Sequence, residues 1–408
     1  MAELNETPSA NRIRIAFFGL RNAGKSTLVN AFAGQDVAIV SDVAGTTTDP
    51  VSKAMEILPL GPCLITDTAG LDDVGELGAM RVEKTLRVLA ATDIAVWVVG
   101  GSEGDAGAES AMHARFLDEC RRRGVAVLEY RRGDDVEELR RKVAAVKVTE
   151  MQRPVVADLV SKGDVVLLVC PQDGSAPKGR LILPQQQVIR ELLDAGCVAQ
   201  VCQPEALHAL FGGGVSPQPS TFSPRFAITD SQAFGAVDAA LPPEMPLTSF
   251  SILFARAKGD LAAFCEGLAA LKALEDGDVV LVAEGCTHHR QCGDIGTVKL
   301  PKAVERLSGK RLEFRFCSGG DFPLEKKFGS LEVEKFRSLD DKTSKPPSLV
   351  IHCGGCMLAR REMARRMELA REAGVPITNY GLVLAAANGI VADPVTCMVR
   401  RKAPAANA

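Results

Sequence analysis

The feature that most constrains this chain is a glycine-rich loop between an apolar segment and a helical one. The loop runs Gly19-Leu20-Arg21-Asn22-Ala23-Gly24-Lys25-Ser26 and has the pattern G-x-x-x-x-G-K-S. Ile13–Phe18 predicts a strand before it, and Thr27–Ala33 predicts a helix after it. In that order the pattern is typical of a loop that binds phosphate through backbone N–H groups at a helix N-terminus. A glycine-rich turn without a ligand is the alternative. The predicted binding residues are Gly19, Asn22, Ala23, Gly24, Lys25, Ser26 and Thr27.

Later segments supply the other parts of a nucleotide site. Cys63–Thr66 predicts a strand that ends in Asp67-Thr68-Ala69-Gly70. Lys25 is expected to contact the terminal phosphates, and the Ser26 hydroxyl and Asp67 carboxylate are expected to hold Mg²⁺. Gly70 can turn its N–H toward a γ-phosphate. Together with the polar loop 45–50, the order and spacing match the switch loops of a small GTPase.

Residues 12–100 resemble the translation-factor-related GTPases, most closely the potassium-dependent tRNA-modification type. The resemblance implies that Thr47 is the switch-I threonine on Mg²⁺ and that Asn22 helps to bind K⁺. Leu71 stands where Ras-like proteins have a water-positioning glutamine. The resemblance therefore implies that another group activates water and that K⁺ supplies the charge of an arginine finger.

The part of such a site that reads guanine is missing from the sequence. No Asn-Lys pair occurs in the chain, so the motif Asn-Lys-x-Asp is absent. After the predicted strand Ile94–Val99 there is room for one helix (about 108–123), one strand (125–130) and one helix (about 136–146). A full GTPase domain has a further strand–helix unit. The sequence therefore predicts a shortened domain with weakened base recognition.

Composition limits the class of protein. A chain of 408 residues predicts two to three domains. A net charge of -3 argues against a protein that coats nucleic acid or a membrane surface. The start of the chain has no apolar h-region and no apolar run is long enough to span a bilayer, which predicts a cytoplasmic protein. Together with the charge, this predicts no nucleic-acid or membrane partners. In a reducing compartment, the twelve cysteines would be buried, reactive or bound to metal.

Two predicted strands in the C-terminal part end in cysteine. Leu349–Ile351 is followed by His352-Cys353-Gly354-Gly355-Cys356, and Val279–Ala283 is followed by Glu284-Gly285-Cys286-Thr287-His288-His289. Strands of one α/β sheet present their C-terminal ends on one side, so Cys286 is expected beside Cys353 and Cys356. A helix is predicted from about residue 357 to 373, and its N-terminus would favour thiolate over thiol. Its arginines, including Arg366, are expected to face solvent.

The chemistry of this site has several possible forms. Three thiolates with histidines suit tetrahedral Zn²⁺. Three cysteines can also hold a [4Fe–4S] cluster with one iron open to an exchangeable ligand. Ordinary structural thiols and thioredoxin-like redox chemistry are the remaining alternatives.

Nearly the whole chain resembles the HydF family, the maturation GTPases of [FeFe]-hydrogenase. The segments that carry the resemblance are Pro177–Gln185, Thr229–Phe234, Pro246–Phe254, Cys286–His289 and Val375–Gly381. The resemblance implies an α/β protein of three domains: a P-loop GTPase-like domain (1–153), here shortened, a small α/β dimerisation domain (154–258) and an α/β [4Fe–4S] domain (259–408).

The family implies a scaffold that receives a transient diiron subcluster precursor from radical-SAM maturases and passes it to apo-[FeFe]-hydrogenase. On this interpretation Cys286, Cys353 and Cys356 ligate the cluster, and His288, His352, water or the precursor binds the open iron. GTP, Mg²⁺, K⁺ and a homodimer are also implied. Leu331–Pro347 is expected to be an inserted surface loop. The alternatives are a GTPase switch in tRNA modification or ribosome assembly with structural zinc, and a metal chaperone with a vestigial phosphate loop.

Overall fold

The computed structural model describes residues 12–34, 51–71, 84–100, 106–147, 153–172, 179, 181–211, 223–285, 295–319, 322–324, 345–393 and 396–401. Gln152 and Arg153 mark the division between two compact units. Thr47, Cys286, His288 and most of the expected insertion at Leu331–Pro347 lie outside the described residues. The predicted α/β class is confirmed, and most strand pairs are parallel.

The first unit is a five-stranded sheet in the order β2-β3-β1-β4-β5. Only the pair β2 and β3 is antiparallel. The strands are β1 (Ile13–Phe18), β2 (Val51–Ile57), β3 (Gly61–Asp67), β4 (Ile94–Val99) and β5 (Ala126–Arg131). The helices are α1 (Lys25–Ala33), α2 (described over 84–91), α3 (Ala106–Arg123) and α4 (Val136–Ala144).

Helices cover both faces of this sheet. Phe32 of α1 and Leu139 of α4 pack into the core on one face. Leu89 of α2 and Phe116 of α3 pack into the core on the other face. Strands covered on both sides are largely apolar because neither face meets water: β4 is apolar along its whole length, and β1 is apolar except for the half-buried Arg14.

The first unit is shortened in the way that the sequence predicts. Strand β5 pairs directly with β4, and within residues 106–147 only α3 precedes β5 and only α4 follows it. Helix α4 packs against the phosphate-loop helix, where Arg140 donates to the carbonyl of Phe32 (2.7 Å from Nη2). The described chain therefore passes from β5 straight to the closing helix of the domain.

The second unit contains two sheets. The six-stranded sheet has the order β14-β15-β9-β8-β6-β7, and the four-stranded parallel sheet has the order β11-β10-β12-β13. The strands are β6 (Val165–Val169), β7 (Val198–Cys202), β8 (Phe226–Thr229), β9 (Leu247–Ser249), β10 (Val279–Glu284), β11 (Glu313–Ser318), β12 (Leu349–His352), β13 (Ile377–Asn379), β14 (Ile390–Ala392) and β15 (Val399–Arg401). The helices are α5 (Leu183–Asp194), α6 (Leu207–Phe211), α7 (Phe234–Ala240), α8 (Phe250–Lys258), α9 (Leu261–Ala269), α10 (Leu300–Ser308), α11 (Arg360–Glu372) and α12 (Tyr380–Ala387).

The two sheets of this unit share one hydrophobic core. Val166 and Ile228 of the larger sheet belong to the same cluster as Leu281 and Val350 of the smaller one. Strand β15, near the end of the chain, pairs with β9 at Leu247 and so extends the sheet of the middle region. The predicted domain boundaries at 153/154 and 258/259 stay predictions.

Candidate functional site

The glycine-rich loop joins β1 to α1, as the sequence predicts. Asn22 and Gly24 have left-handed backbones, with φ of 63° and 91°. A Cβ on Gly19 would lie 2.5 Å from the carbonyl oxygen of Val98, so the loop passes close under β4. Helix α1 begins at Lys25, which leaves the first N–H groups of the helix directed at the loop.

Polar side chains of the loop meet the end of β3. Lys25 is buried and donates to the carbonyl oxygens of Gly19 (3.3 Å) and Leu20 (2.7 Å). The Ser26 hydroxyl donates to Oδ2 of Asp67 at 2.5 Å. Asp67 is fully buried, and within the described part of the chain its Oδ1 has no hydrogen-bond partner.

Burial disfavours the charged form of the Asp67 carboxyl group. Burial raises the pKa of its carboxyl, although the Ser26 hydrogen bond and the Lys25 charge act in the opposite direction. A buried carboxylate oxygen without a partner, next to a serine hydroxyl, is the oxygen donor set that Mg²⁺ takes. The residues present therefore fit the predicted magnesium site.

The segment after Asp67 is tied to the loop by hydrogen bonds. Thr68 donates to the carbonyl of Phe17 at 2.6 Å, and the N–H of Leu71 donates to the carbonyl of Gly19 at 3.3 Å. Gly70 is buried between these bonds. The structure therefore brings Lys25, Ser26 and Asp67 together and places Gly70 close by.

The second set of predicted residues lies where β10 and β12 end side by side. In their register Ala283 is opposite His352. The N–H of Gly285 donates to the sulfur of Cys353 at 3.0 Å, and the N–H of Gly355 does so at 3.4 Å. Gly285 immediately precedes Cys286, so the residue before the third predicted cysteine lies against the sulfur of Cys353.

The predicted start of the helix after Cys356 is wrong. Helix α11 begins at Arg360, because a turn in which the N–H of Leu358 donates to the carbonyl of Gly355 intervenes. The predicted preference for thiolate is also wrong for the metal-free thiols. Burial raises the pKa of Cys353 to about 11 and also raises that of Cys356, because it outweighs the N–H groups directed at the sulfurs.

His352 is fully buried with both ring nitrogens engaged. Nδ1 lies 2.8 Å from the carbonyl oxygen of Cys353, and Nε2 lies 3.0 Å from Nη1 of Arg366. Burial, and next the charge of Arg366, lowers the pKa of His352 to about 4. The ring is therefore neutral, with Nδ1 donating and Nε2 accepting. Its role as a fourth cluster ligand stays a prediction and would require Nε2 to leave Arg366.

Arg366 was expected to face solvent, and that expectation is wrong. The side chain is fully buried, bonds Glu362 at 2.9 Å and the carbonyl of Gly319, and lies over the ring of Phe322. Arginine on an amphipathic helix usually points outward, so sequence pattern gave no signal for this contact. Lys258 was missed as well, although a lysine at the end of the apolar helix Phe250–Lys258 is a detectable signal.

A cavity of about 160 Å³ adjoins Cys356. Its walls are mostly apolar and aromatic, and residues in the first turns of three helices reach it: Pro184 of α5, Phe250 of α8 and Tyr380 of α12. Asp230, Ser231, Gln232 and Ser251 supply polar atoms. The cavity therefore offers space beside one of the predicted ligands.

Among the described residues, which exclude Cys286 and His288, no three side chains of metal-ligating type come together. Of the helices that the structure describes, none is long and apolar enough to cross a membrane.

Comparison with known families identifies the second unit. Residues 262–396 match the hydrogen maturase F tetramerization domain, and residues 155–259 match the hydrogen maturase F dimerization domain. The chain belongs to the hydrogen maturase F family. Residues 14–129 match the 50S ribosome-binding GTPase family, which confirms a GTPase-like first domain. The two hydrogen maturase F matches indicate that the chain forms oligomers.

Curated relatives match the first domain. The tRNA modification GTPase MnmE of Rhizorhabdus wittichii is 38% identical over 113 residues, which are 27% of this chain and 24% of that protein. GTPase Der of Wolinella succinogenes is 41% identical over 100 residues, which are 24% of this chain and 21% of that protein. The chain thus spans about a quarter of the length of these relatives.

A solved structure of Era from Aquifex aeolicus, bound to GDP and AlF4-, is 14% identical to this chain. It covers 75% of this chain and 92% of Era with a TM-score of 0.26. At that score the similarity supports no conclusion.

Proposed function

We propose that this chain is a GTPase-linked scaffold for maturation of [FeFe]-hydrogenase. It binds a [4Fe–4S] cluster, receives a diiron precursor from radical-SAM maturases and delivers it to apo-hydrogenase. The observation that carries the proposal is the contact between Gly285 and the sulfur of Cys353 in a chain with both hydrogen maturase F domains. This contact brings the strand that leads to Cys286 to the C-x-x-C turn.

The donor set fits an iron–sulfur cluster. Cys353 and Cys356 are half-buried, and backbone N–H groups are directed at both sulfurs. Hydrogen bonds of this kind stabilise cluster-bound sulfur and tune the reduction potential. With Cys286 as third ligand, the cluster would have one iron open for exchange. The cluster supplies that open coordination position, and the protein supplies the ligands and the enclosure.

The cavity beside Cys356 is suited to hold the precursor near that open iron. Its walls are mostly apolar and aromatic, while the N-termini of α5, α8 and α12 favour anionic groups such as the cyanide ligands of the precursor. The precursor would then meet the cluster within the second unit.

The first unit would bind GTP with Mg²⁺ through Lys25, Ser26 and Asp67, with Thr47 completing the metal site. K⁺ would bind through Asn22. Base selectivity would be weak, because the sequence lacks Asn-Lys-x-Asp and, within residues 106–147, only the loop after β5 remains to contact the base. In that loop the carboxylate of Asp134 accepts from the N–H of Arg131 at 2.8 Å, which closes the turn on itself. Competition of GTP and ATP for the site should give affinities within about tenfold, whereas tight GTP-only binding would exclude this idea.

Anaerobic reconstitution with iron and sulfide tests the cluster. The unmodified chain should gain a broad absorbance near 400 nm, about the region of thiolate-to-iron charge transfer in such clusters. Cys353→Ser should lose most of it, while Cys265→Ser, which changes a half-buried cysteine on α9, should retain it. A colourless protein that binds one zinc would instead favour a GTPase switch with structural zinc. Activation of apo-hydrogenase together with the maturases then tests delivery.

A further inference from the structure

Lys258 directs all of its donors at one turn. It is the last residue of α8 and is 9% exposed. Its Nζ donates to the carbonyl oxygens of Gly355 (3.0 Å), Cys356 (2.8 Å) and Leu358 (2.7 Å). A protonated lysine has three N–H donors, so the C-x-x-C turn accepts every one of them. Nζ also lies over the ring of Phe254, 5.2 Å from the ring centroid.

The peptide groups between Lys258 and the sulfur have a fixed polarity. In a planar trans peptide the C=O and N–H bonds point in opposite directions. Because the carbonyls of Gly355 and Cys356 face Lys258, the N–H groups of Cys356 and Met357 face away from it. These two N–H groups hydrogen-bond the sulfur of Cys356. Lys258 and the sulfur therefore bind opposite ends of the same two peptide groups.

The charge of Lys258 has the sign that bound thiolates need. Its Nζ lies 2.8 Å from the carbonyl oxygen of Cys356, so a protonated Lys258 places positive charge next to the residue whose sulfur would bind the cluster. A [4Fe–4S] core with three thiolates carries net negative charge. A buried cation within this turn offsets part of that charge, more so when the cluster is reduced.

We propose that Lys258 is a positioning residue of the cluster site. It fixes the C-x-x-C turn so that N–H groups face the sulfur of Cys356, and its charge stabilises the anionic thiolate-bound cluster. This inference rests on the proposed function, because it concerns the cluster of that site. It predicts that Lys258 controls both retention of iron and the reduction potential.

The test compares three variants of the full chain after anaerobic reconstitution. Lys258→Met removes the donors and the charge, and it should retain less than half of the iron after desalting. Lys258→Gln keeps N–H donors without the charge, so it should retain iron while its midpoint potential, followed by electron paramagnetic resonance, becomes more negative. Arg256→Met is the matched control, because Arg256 is a buried cation on the same helix that pairs with Asp158 (2.9 Å) rather than with the turn.

The outcomes separate a positioning role from simple destabilisation. Iron content and potential equal to the unmodified chain in both Lys258 variants would overturn the proposal. The proposal would also be overturned if Arg256→Met lost as much iron as Lys258→Met, because equal losses would reflect a general weakening of α8. If circular dichroism shows that Lys258→Met does not fold, the midpoint potential of Lys258→Gln tests the proposal instead: a value more negative than that of the unmodified chain supports it, and an equal value overturns it. If the unmodified chain takes up no cluster, the proposed function fails first, and this inference fails with it.

Discussion

The phosphate loop and the C-x-x-C turn both follow a buried parallel strand, yet they direct backbone N–H groups in different ways. In the phosphate loop, α1 begins at Lys25, inside the motif itself, so the helix N-terminus supplies the orientation. In the C-x-x-C turn, α11 begins only at Arg360, and a lysine from another helix holds the carbonyl ends of the peptides. The same position at the end of a strand can therefore be stabilised locally or by a distant side chain.

This difference predicts that the thiol site depends more strongly on remote contacts. Arg366→Met should reduce the free energy of unfolding of the second unit by about 3 to 5 kcal/mol, because His352, Glu362 and the carbonyl of Gly319 lose a buried partner. Urea denaturation followed by circular dichroism measures the change. The control Arg371→Met removes a side chain that is 79% exposed and should change stability by less than about 0.5 kcal/mol. Equal effects of the two substitutions would contradict the dependence on remote contacts.

Nucleotide binding at the phosphate site should instead be lost through a substitution inside the loop motif itself. Lys25→Ala should weaken nucleotide binding by about 100-fold, since a charged hydrogen-bond donor to the phosphates is lost. Titration with a fluorescent nucleotide measures this, and iron content after reconstitution should stay unchanged. Lys142→Ala is the control, because Lys142 pairs with Glu138 on the exposed side of α4. Loss of iron in Lys25→Ala would show that the two sites are coupled.

A smaller effect concerns the buried carboxylate of Asp67. Because its pKa is raised in the folded protein, Asp67 favours folding when protonated, and this contribution is lost as pH rises from its ordinary value of 3.8 through the raised value. Without Mg²⁺ and nucleotide, Asp67→Asn should therefore make the first unit more stable at neutral pH. Fluorescence of Trp97, the single tryptophan, reports unfolding of this unit. The same substitution should abolish Mg²⁺-dependent nucleotide binding. If Asp67→Asn were instead less stable than the unmodified chain at neutral pH, the charge of Asp67 would be satisfied within the protein.

The sequence predicted the first unit well because its signals are local. The loop Gly19–Ser26 lies between a strand and a helix, and β5 and α4 occupy nearly the predicted ranges. The absence of a further unit before α4 was also visible in the chain. Each of these features depends on neighbours within a few residues, where periodicity and glycine placement are informative.

The sequence by itself also determined that two cysteine-bearing segments follow neighbouring strands, since apolar strands of an α/β sheet end on one side. Tertiary structure alone decided how the thiol site is supported. Lys258 and Gly285 are remote in the chain from Cys353 and Arg366, and their contacts depend on how α8, β10, β12 and α11 pack. It also decided that Arg366 is buried and that the thiols favour their protonated forms, because desolvation depends on the three-dimensional surroundings of a group and has no periodic signal in the sequence.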